Sequence, residues 1–180
     1  LNNSPAWSRD ATLDPTAPPD DPSTFANFIL AFVERYGEQI NYYQIWDEPN
    51  IELGWGGQNP NSVDYLVLLQ TAYDLIHAAD SDAYVLAAAM APTTETGPQN
   101  ISDIVYLRQL YTLGAEQYAD AFAAKPYGFS VSPLDRTVSN DVLNFSRITA
   151  LREVMVEHGD SRTALWASNW GWNSLPSNWT

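Results

Sequence analysis

The sequence predicts an α/β fold in which helices cover a parallel sheet. Four segments with apolar residues at helical spacing alternate with four short apolar segments, which is the order of repeated helix–strand units. The short segments are apolar at nearly every position, as strands buried on both faces of a parallel sheet are. Each is followed by polar and aromatic residues, so we expect chemically active side chains to gather at one edge of the sheet.

The first unit follows an irregular, proline-rich lead-in over residues 1–22. Ser23 is a good N-cap for a helix that continues to Tyr36, and Gly37 is placed to end it. A strand rich in β-forming residues is predicted at about 41–46. The three later units are predicted in order, with helices at about 62–79, 101–116 and 139–158 and strands at about 83–90, 119–124 and 163–167.

Two architectures fit this order of elements. A doubly wound sheet usually carries a glycine-rich phosphate loop, and neither G-x-G-x-x-G nor G-x-x-x-x-G-K occurs. A (β/α)8 TIM-barrel-like domain brings the residues after every strand to one mouth, which fits the polar strand ends. We therefore predict a partial barrel over residues 23–180. Because four strands are readable where a barrel has eight, we expect additional polypeptide to complete it.

Composition narrows the function classes. Eight Lys and Arg against 22 Asp and Glu give a net charge of −14, which argues against nucleic acid or anionic lipid as a partner. No apolar run approaches the roughly 20 residues of a membrane span. The chain has no cysteine, and the two histidines do not suggest a metal site, so we predict no metal and no cofactor. A single lysine, seven tryptophans and four Asn-x-Ser/Thr triplets favour an extracellular or cell-surface location.

Three of the predicted strand ends carry recognisable motifs. Residues 45–50 read I-W-D-E-P-N, residues 125–128 read K-P-Y-G, and residues 166–172 read W-A-S-N-W-G-W. In these motifs the chain resembles the clan of retaining glycoside hydrolases with a (β/α)8 barrel, which includes xylosidase, iduronidase and endoglucanase families. The resemblance maps the visible strands onto about strands four to seven of that barrel.

The resemblance implies that Glu48 is the general acid/base, and it also exposes departures. Asn169 occupies the position of the nucleophilic glutamate, Lys125 that of a histidine, and Asp47 that of an asparagine. A retaining glycosidase needs two carboxyl groups roughly 5–5.5 Å apart, and an amide cannot form the covalent glycosyl ester. We therefore predict a glycoside-hydrolase-like domain with a carbohydrate-shaped cleft and weak or no hydrolysis.

Several further residues are candidates for substrate contact. Lys125 is expected to pair with Glu48 or Asp47, which would favour the ionised carboxylate and weaken Glu48 as an acid. Trp46 and Trp166, inside strands, are expected in the core, whereas Trp55 in a glycine-rich stretch is the better candidate for an exposed sugar platform. The full predicted set of substrate-binding residues is Asp47, Asn50, Trp55, Lys125, Tyr127, Trp170 and Trp172.

Two other functions stay open at this point. The chain could be an active glycosidase with a displaced base, supplied by Glu95 or Asp135 and acting on water in an inverting mechanism. It could instead be a non-catalytic structural module of a larger assembly, since fold alone does not fix function.

Overall fold

The structure, a computed structural model, describes residues 1–172 and confirms the alternation of helices and strands. The helices are α1 (Pro22–Tyr36), α2 (Ser62–Ala79), α3 (Asp103–Thr112) and α4 (Arg147–Glu157). The strands are β1 (Tyr42–Asp47), β2 (Tyr84–Ala89), β3 (Ala121–Ala124) and β4 (Ala164–Ala167). Two short 3-10 helices cover Glu52–Trp55 and Ala115–Tyr118, and residues 1–21 form turns and irregular backbone.

The four strands form one parallel sheet in chain order, β1-β2-β3-β4. Parallel pairing between consecutive strands requires a crossover, and the helix after each of the first three strands provides it. All four strands therefore end at the same edge of the sheet. This edge carries the residues that the sequence singled out.

The sheet is strongly curved. Tyr43 packs its ring edge against Phe32 of α1, so the preceding residue, Tyr42, faces the opposite side of β1. In a flat sheet β1 and β4 would lie about 14 Å apart, at about 4.8 Å per strand. The ring centroids of Tyr42 and Trp166 are nevertheless only 5.2 Å apart. The sheet therefore curves so that its two edge strands approach one another on the concave face, as in a segment of a barrel wall.

The helices cover the convex face and bury an apolar core. Ile29, Leu69 and Phe122 are completely buried there, and burial of such a side chain contributes about 1.5–3 kcal/mol. Tyr65 of α2 joins the helix layer to the sheet: its hydroxyl donates to the Ile45 carbonyl at 3.1 Å and accepts from the Ala88 N–H at 2.6 Å. Burial raises the pKa of Tyr65, so the hydroxyl keeps its proton in this role.

Three helix ends differ from the sequence prediction. The carboxylate of Asp21, rather than Ser23, caps α1, because Pro22 fills the first helical position and the Ser23 N–H donates to that carboxylate. α3 is shorter than predicted, since Gly114 adopts a left-handed φ of 83° just after it. α4 begins at Arg147 and not near residue 139.

The late start of α4 has a tertiary cause. The Arg147 guanidinium is buried, donates to the carbonyls of Asn140 and Val142, and makes a forked ion pair with Asp103 of α3. It also donates to the Thr93 carbonyl in the loop after β2. The carbonyls before α4 therefore bind a side chain instead of continuing the helix.

In residues 1–172 no helix combines the length and the hydropathy needed to cross a membrane.

Candidate functional site

The mouth is the edge formed by the C-terminal strand ends and the loops after them, residues 48–61, 90–102, 125–146 and 168–172. At the end of β1, Trp46 and Glu48 have left-handed φ angles of 69° and 52°. Such backbone costs about 1–3 kcal/mol per residue and concentrates at functional sites. Trp46 is buried and donates from Nε1 to the Gly54 carbonyl, and the Glu48 N–H donates to the Ala89 carbonyl of β2. These contacts hold the strained turn in place.

Lys125 joins two strand ends across the mouth. Its Nζ lies 2.8 Å from Asp47 Oδ2 and 2.8 Å from Glu48 Oε1. The lysine side chain is 6% exposed, whereas the two carboxylates are 36% and 30% exposed. The predicted pairing of Lys125 thus involves both carboxylates at once, and both keep a face toward solvent.

The ammonium group stays charged in this position. Burial by itself acts to lower the pKa of Lys125, but hydrogen bonds from Lys125 to Asp47 and Glu48 and their negative charges outweigh it. The net result is a pKa raised above the ordinary value of 10.5. The group therefore contains one fixed cation, which lies between the side chains of Asp47 and Glu48.

Asn169 follows β4 at the same mouth. Ala124 of β3 pairs with Ala167 of β4, and the parallel pairing resumes between Tyr127 and Gly171. The segment with Asn169 therefore runs beside the segment that begins with Lys125, one strand spacing of about 4.8 Å away. Asn169 is exposed, and its Oδ1 accepts a hydrogen bond from the Ser168 hydroxyl at 3.2 Å.

The aromatic residues after β3 and β4 differ in how much of their side chain is covered by other residues of the chain. Trp170 is 67% exposed and Tyr127 is half-buried. Trp172 stacks on Phe145 with ring centroids 5.1 Å apart, and its Nε1 donates to the Val131 carbonyl. Trp170 is therefore the residue of this group with the largest open surface for a sugar ring.

The structure corrects three sequence-based expectations. Trp55 is buried, not an exposed platform, because its ring packs edge-on against Trp46. Asn50 is fully buried, and its amide bonds the backbone N–H and carbonyl of Ala91 and the carbonyl of Ile101, so it anchors a loop rather than a ligand. Trp166 is 42% exposed because it lies on the concave face of the edge strand β4.

The candidates for a displaced base are engaged in local hydrogen bonds. Glu95 accepts from the Asn100 amide, and Asp135 accepts from Asn144 and Thr137. The bond from Asn144, followed by those from Thr137, lowers the pKa of Asp135. Within residues 1–172, no group of three His, Cys, Asp or Glu side chains has the arrangement of a metal site.

Two residues of the site were not among the sequence candidates. Gln44 donates from Nε2 to Asp47 Oδ1 at 3.4 Å and to the Trp46 carbonyl at 3.0 Å. Gly54 lies so close to Glu48 that an added Cβ would be 2.0 Å from the Glu48 carbonyl oxygen. An amide within a strand of mostly aromatic and aliphatic residues was a usable signal for Gln44. The contact made by Gly54 depends on how the loop folds back and leaves no mark in the sequence.

Comparisons with known proteins bear on the fold. No protein-family model and no curated protein matches this sequence. Among solved structures, a glucosidase from Croceicoccus marinus matches 89% of this chain with a TM-score of 0.66 and 18% identity. A family 39 glycoside hydrolase from the gut symbiont Bacteroides cellulosilyticus WH2 matches 87% with a TM-score of 0.58 and 17% identity. A monomeric β-xylosidase from Caulobacter crescentus CB15 matches 86% with a TM-score of 0.51 and 18% identity.

The matched region is a limited part of each of those proteins. This chain spans 33%, 32% and 31% of their respective lengths, about a third in each case. The parallel order of the strands, the curvature of the sheet and the helices on its convex face agree with a segment of a barrel wall. The chain therefore has the α/β fold of part of a TIM barrel, and this part matches the barrels of the glycoside hydrolases named above.

Proposed function

We propose that this chain forms the acid/base half of a glycoside-hydrolase-like barrel whose mouth binds carbohydrate but hydrolyses it weakly or not at all. In this proposal Glu48 is the acid/base residue and Asn169 stands at the nucleophile position. Additional polypeptide supplies the other strands of the barrel. We also propose an extracellular or cell-surface location, where glycans are available as ligands.

The observation that carries the proposal is the Asp47–Lys125–Glu48 group at the mouth. Asp47 ends β1 and Glu48 follows it, whereas Lys125 follows β3, and the two carboxylates keep exposed surface. Left-handed backbone at Glu48 adds support, because strain of this kind persists where the surrounding structure holds a functional group in place. Exposed Trp170 supplies an apolar face of the kind that stacks on sugars.

The residue at the nucleophile position explains why hydrolysis is expected to be weak. A retaining mechanism needs a carboxylate that attacks the anomeric carbon while an acid protonates the leaving oxygen. Asn169 has no charge with which to attack, and one oxygen of Glu48, Oε1, already binds the Lys125 ammonium at 2.8 Å. General acid catalysis alone contributes about 10²–10⁴-fold, far below the acceleration of an efficient hydrolase.

The test restores the missing carboxylate. In Asn169→Glu, made in the complete polypeptide, we expect turnover of an aryl glycoside with a good leaving group to rise by about 10²-fold or more, because such a substrate needs little acid assistance. Asn169→Gln is the matched control, since it adds the same methylene without the charge. A fluorinated glycoside should trap a covalent adduct on residue 169 of the Glu variant, detectable by mass spectrometry.

The outcomes separate the alternatives. Inactivity of both variants on several sugars, with the fold intact and no glycan bound, would favour a purely structural module. Strong turnover by the unmodified chain that Glu48→Gln abolishes would instead indicate an active glycosidase with a displaced base. Either result would overturn the proposal of a binding mouth with lost catalysis.

A further inference from the structure

The charges around the mouth set a limit on the ligands that it accepts. The chain has eight Lys and Arg, yet the loops 48–61, 90–102 and 168–172 contain none of them. Two of these loops carry acidic residues, Glu48 and Glu52 after β1 and Glu95 after β2. A ligand at the mouth therefore meets carboxylates on the β1 and β2 side without a compensating surface cation.

Two of the three cations near the mouth are already paired with carboxylates of the protein. Lys125 donates to both Asp47 and Glu48 and has a side chain that is 6% exposed. Arg147 is 2% exposed, and Asp103 together with backbone carbonyls takes up its N–H groups. Arg136 is exposed and donates from Nη1 to the Pro133 and Asp135 carbonyls within its own loop, so among these three it is the cation that a ligand on the β3 side of the mouth could still meet.

The carboxylates at the mouth also restrict the hydrogen bonds that a ligand can make. Ionised Asp47 and Glu48 accept hydrogen bonds and donate none. A sugar hydroxyl can donate to them, whereas the carboxylate of a uronic acid offers no donor and is repelled by both. Displacing Lys125 from its two partners would leave a buried cation and two carboxylates without their pairing, so the lysine is not free to turn toward an acidic ligand.

We infer that the Asp47–Lys125–Glu48 group makes the mouth selective for neutral glycans and against glycans that carry uronate, sulfate or phosphate groups. This inference rests on the proposed function, because it assumes that the mouth binds carbohydrate. Lys125 is the specificity-determining residue in it. Its ammonium group pairs with the two carboxylates of the protein and is therefore not available to pair with an anionic group on the ligand.

The experiment measures glycan binding by isothermal titration, with this chain in the complete polypeptide that supplies the rest of the barrel. Neutral xylo-, cello- and manno-oligosaccharides are compared with oligogalacturonides and with the same oligogalacturonides after reduction of their carboxyl groups. We expect binding of at least one neutral series and a weaker interaction with the acidic one. Carboxyl reduction, which removes the charge and keeps the backbone of the sugar, should strengthen binding.

A pair of variants with equal net charge locates the effect. Asp47→Asn removes one of the two partners of Lys125 and should raise the affinity for acidic relative to neutral glycans by about fivefold, the effect of one unit charge at contact distance in water. Glu38→Gln makes the same change in net charge in the turn between α1 and β1, at the opposite edge of the sheet. It should leave the ratio unchanged.

The two failures are distinguishable. Binding of acidic glycans as tightly as neutral ones, or an equal response to Asp47→Asn and Glu38→Gln, would overturn the inference while leaving carbohydrate binding in place. Binding of no glycan of either kind would overturn the proposed function, and the inference with it.

Discussion

Gly54 offers a direct test of how the position of Glu48 is fixed. A Cβ added at residue 54 would lie 2.0 Å from the Glu48 carbonyl oxygen and 2.6 Å from its carbonyl carbon. Nonbonded contacts of heavy atoms need roughly 3.5 Å, so the Glu48 backbone would have to move by about 1 Å or more. The Glu48 backbone has a left-handed φ of 52°, and its N–H donates to the Ala89 carbonyl of β2. The Glu48 side chain in turn binds Lys125, so the residue has little freedom to move.

We expect Gly54→Ala to destabilise the chain by about 1–3 kcal/mol, the usual range for overpacking, and to weaken glycan binding as Glu48 is displaced. Urea unfolding gives the first quantity and titration with a neutral oligosaccharide the second. The matched control is Gly97→Ala, because an added Cβ there meets nothing within 4 Å and Gly97 is outside the left-handed region. It should be neutral or stabilise by about 0.4–1 kcal/mol. Equal unfolding midpoints for Gly54→Ala and the unmodified chain would refute the argument.

Two further predictions concern the charged groups. Arg147→Met leaves Asp103 as an unpaired buried charge, so it should lower the free energy of unfolding in urea by about 3–5 kcal/mol. The control Arg108→Met breaks an exposed ion pair and should change the same quantity by less than about 1 kcal/mol. Similar losses in the two variants would contradict this prediction. Because the pKa of Lys125 is raised, its contribution is complete below the ordinary value of 10.5 and is lost as pH rises through the folded-state value. The stability difference between the unmodified chain and Lys125→Met should therefore shrink in alkaline solution, and a difference that is constant or growing up to pH 12 would count against the ion pairing.

The sequence predicted the elements whose stability is local. α2 was expected at about 62–79 and is observed at Ser62–Ala79, because Asn61 caps it and the apolar spacing is regular. The apolar composition of the short segments likewise marked all four strands, although β4 lies at the edge of the sheet and is largely exposed. These features depend on neighbours along the chain, so periodicity and capping residues report them directly.

The residues that sequence analysis misassigned depend on contacts between distant segments. Asn50 bonds Ala91, 41 residues away, and so serves as a loop anchor rather than a sugar contact. Trp55 is buried because the β1 loop folds back over Trp46. α4 starts late because Arg147 binds the carbonyls of the preceding loop. Turn composition alone carries no information about such partners.

The Arg147 group also has a dynamic consequence. One guanidinium bonds the loop before α4 at Asn140 and Val142, the loop after β2 at Thr93 and the start of α3 at Asp103. Opening either loop would break several charge-assisted hydrogen bonds at once, each worth about 1.5–3 kcal/mol. Local fluctuations that open one loop alone are therefore rare, and the amide protons of both loops should exchange with solvent together. A ligand meets this part of the mouth already assembled, with little ordering entropy left to lose on binding.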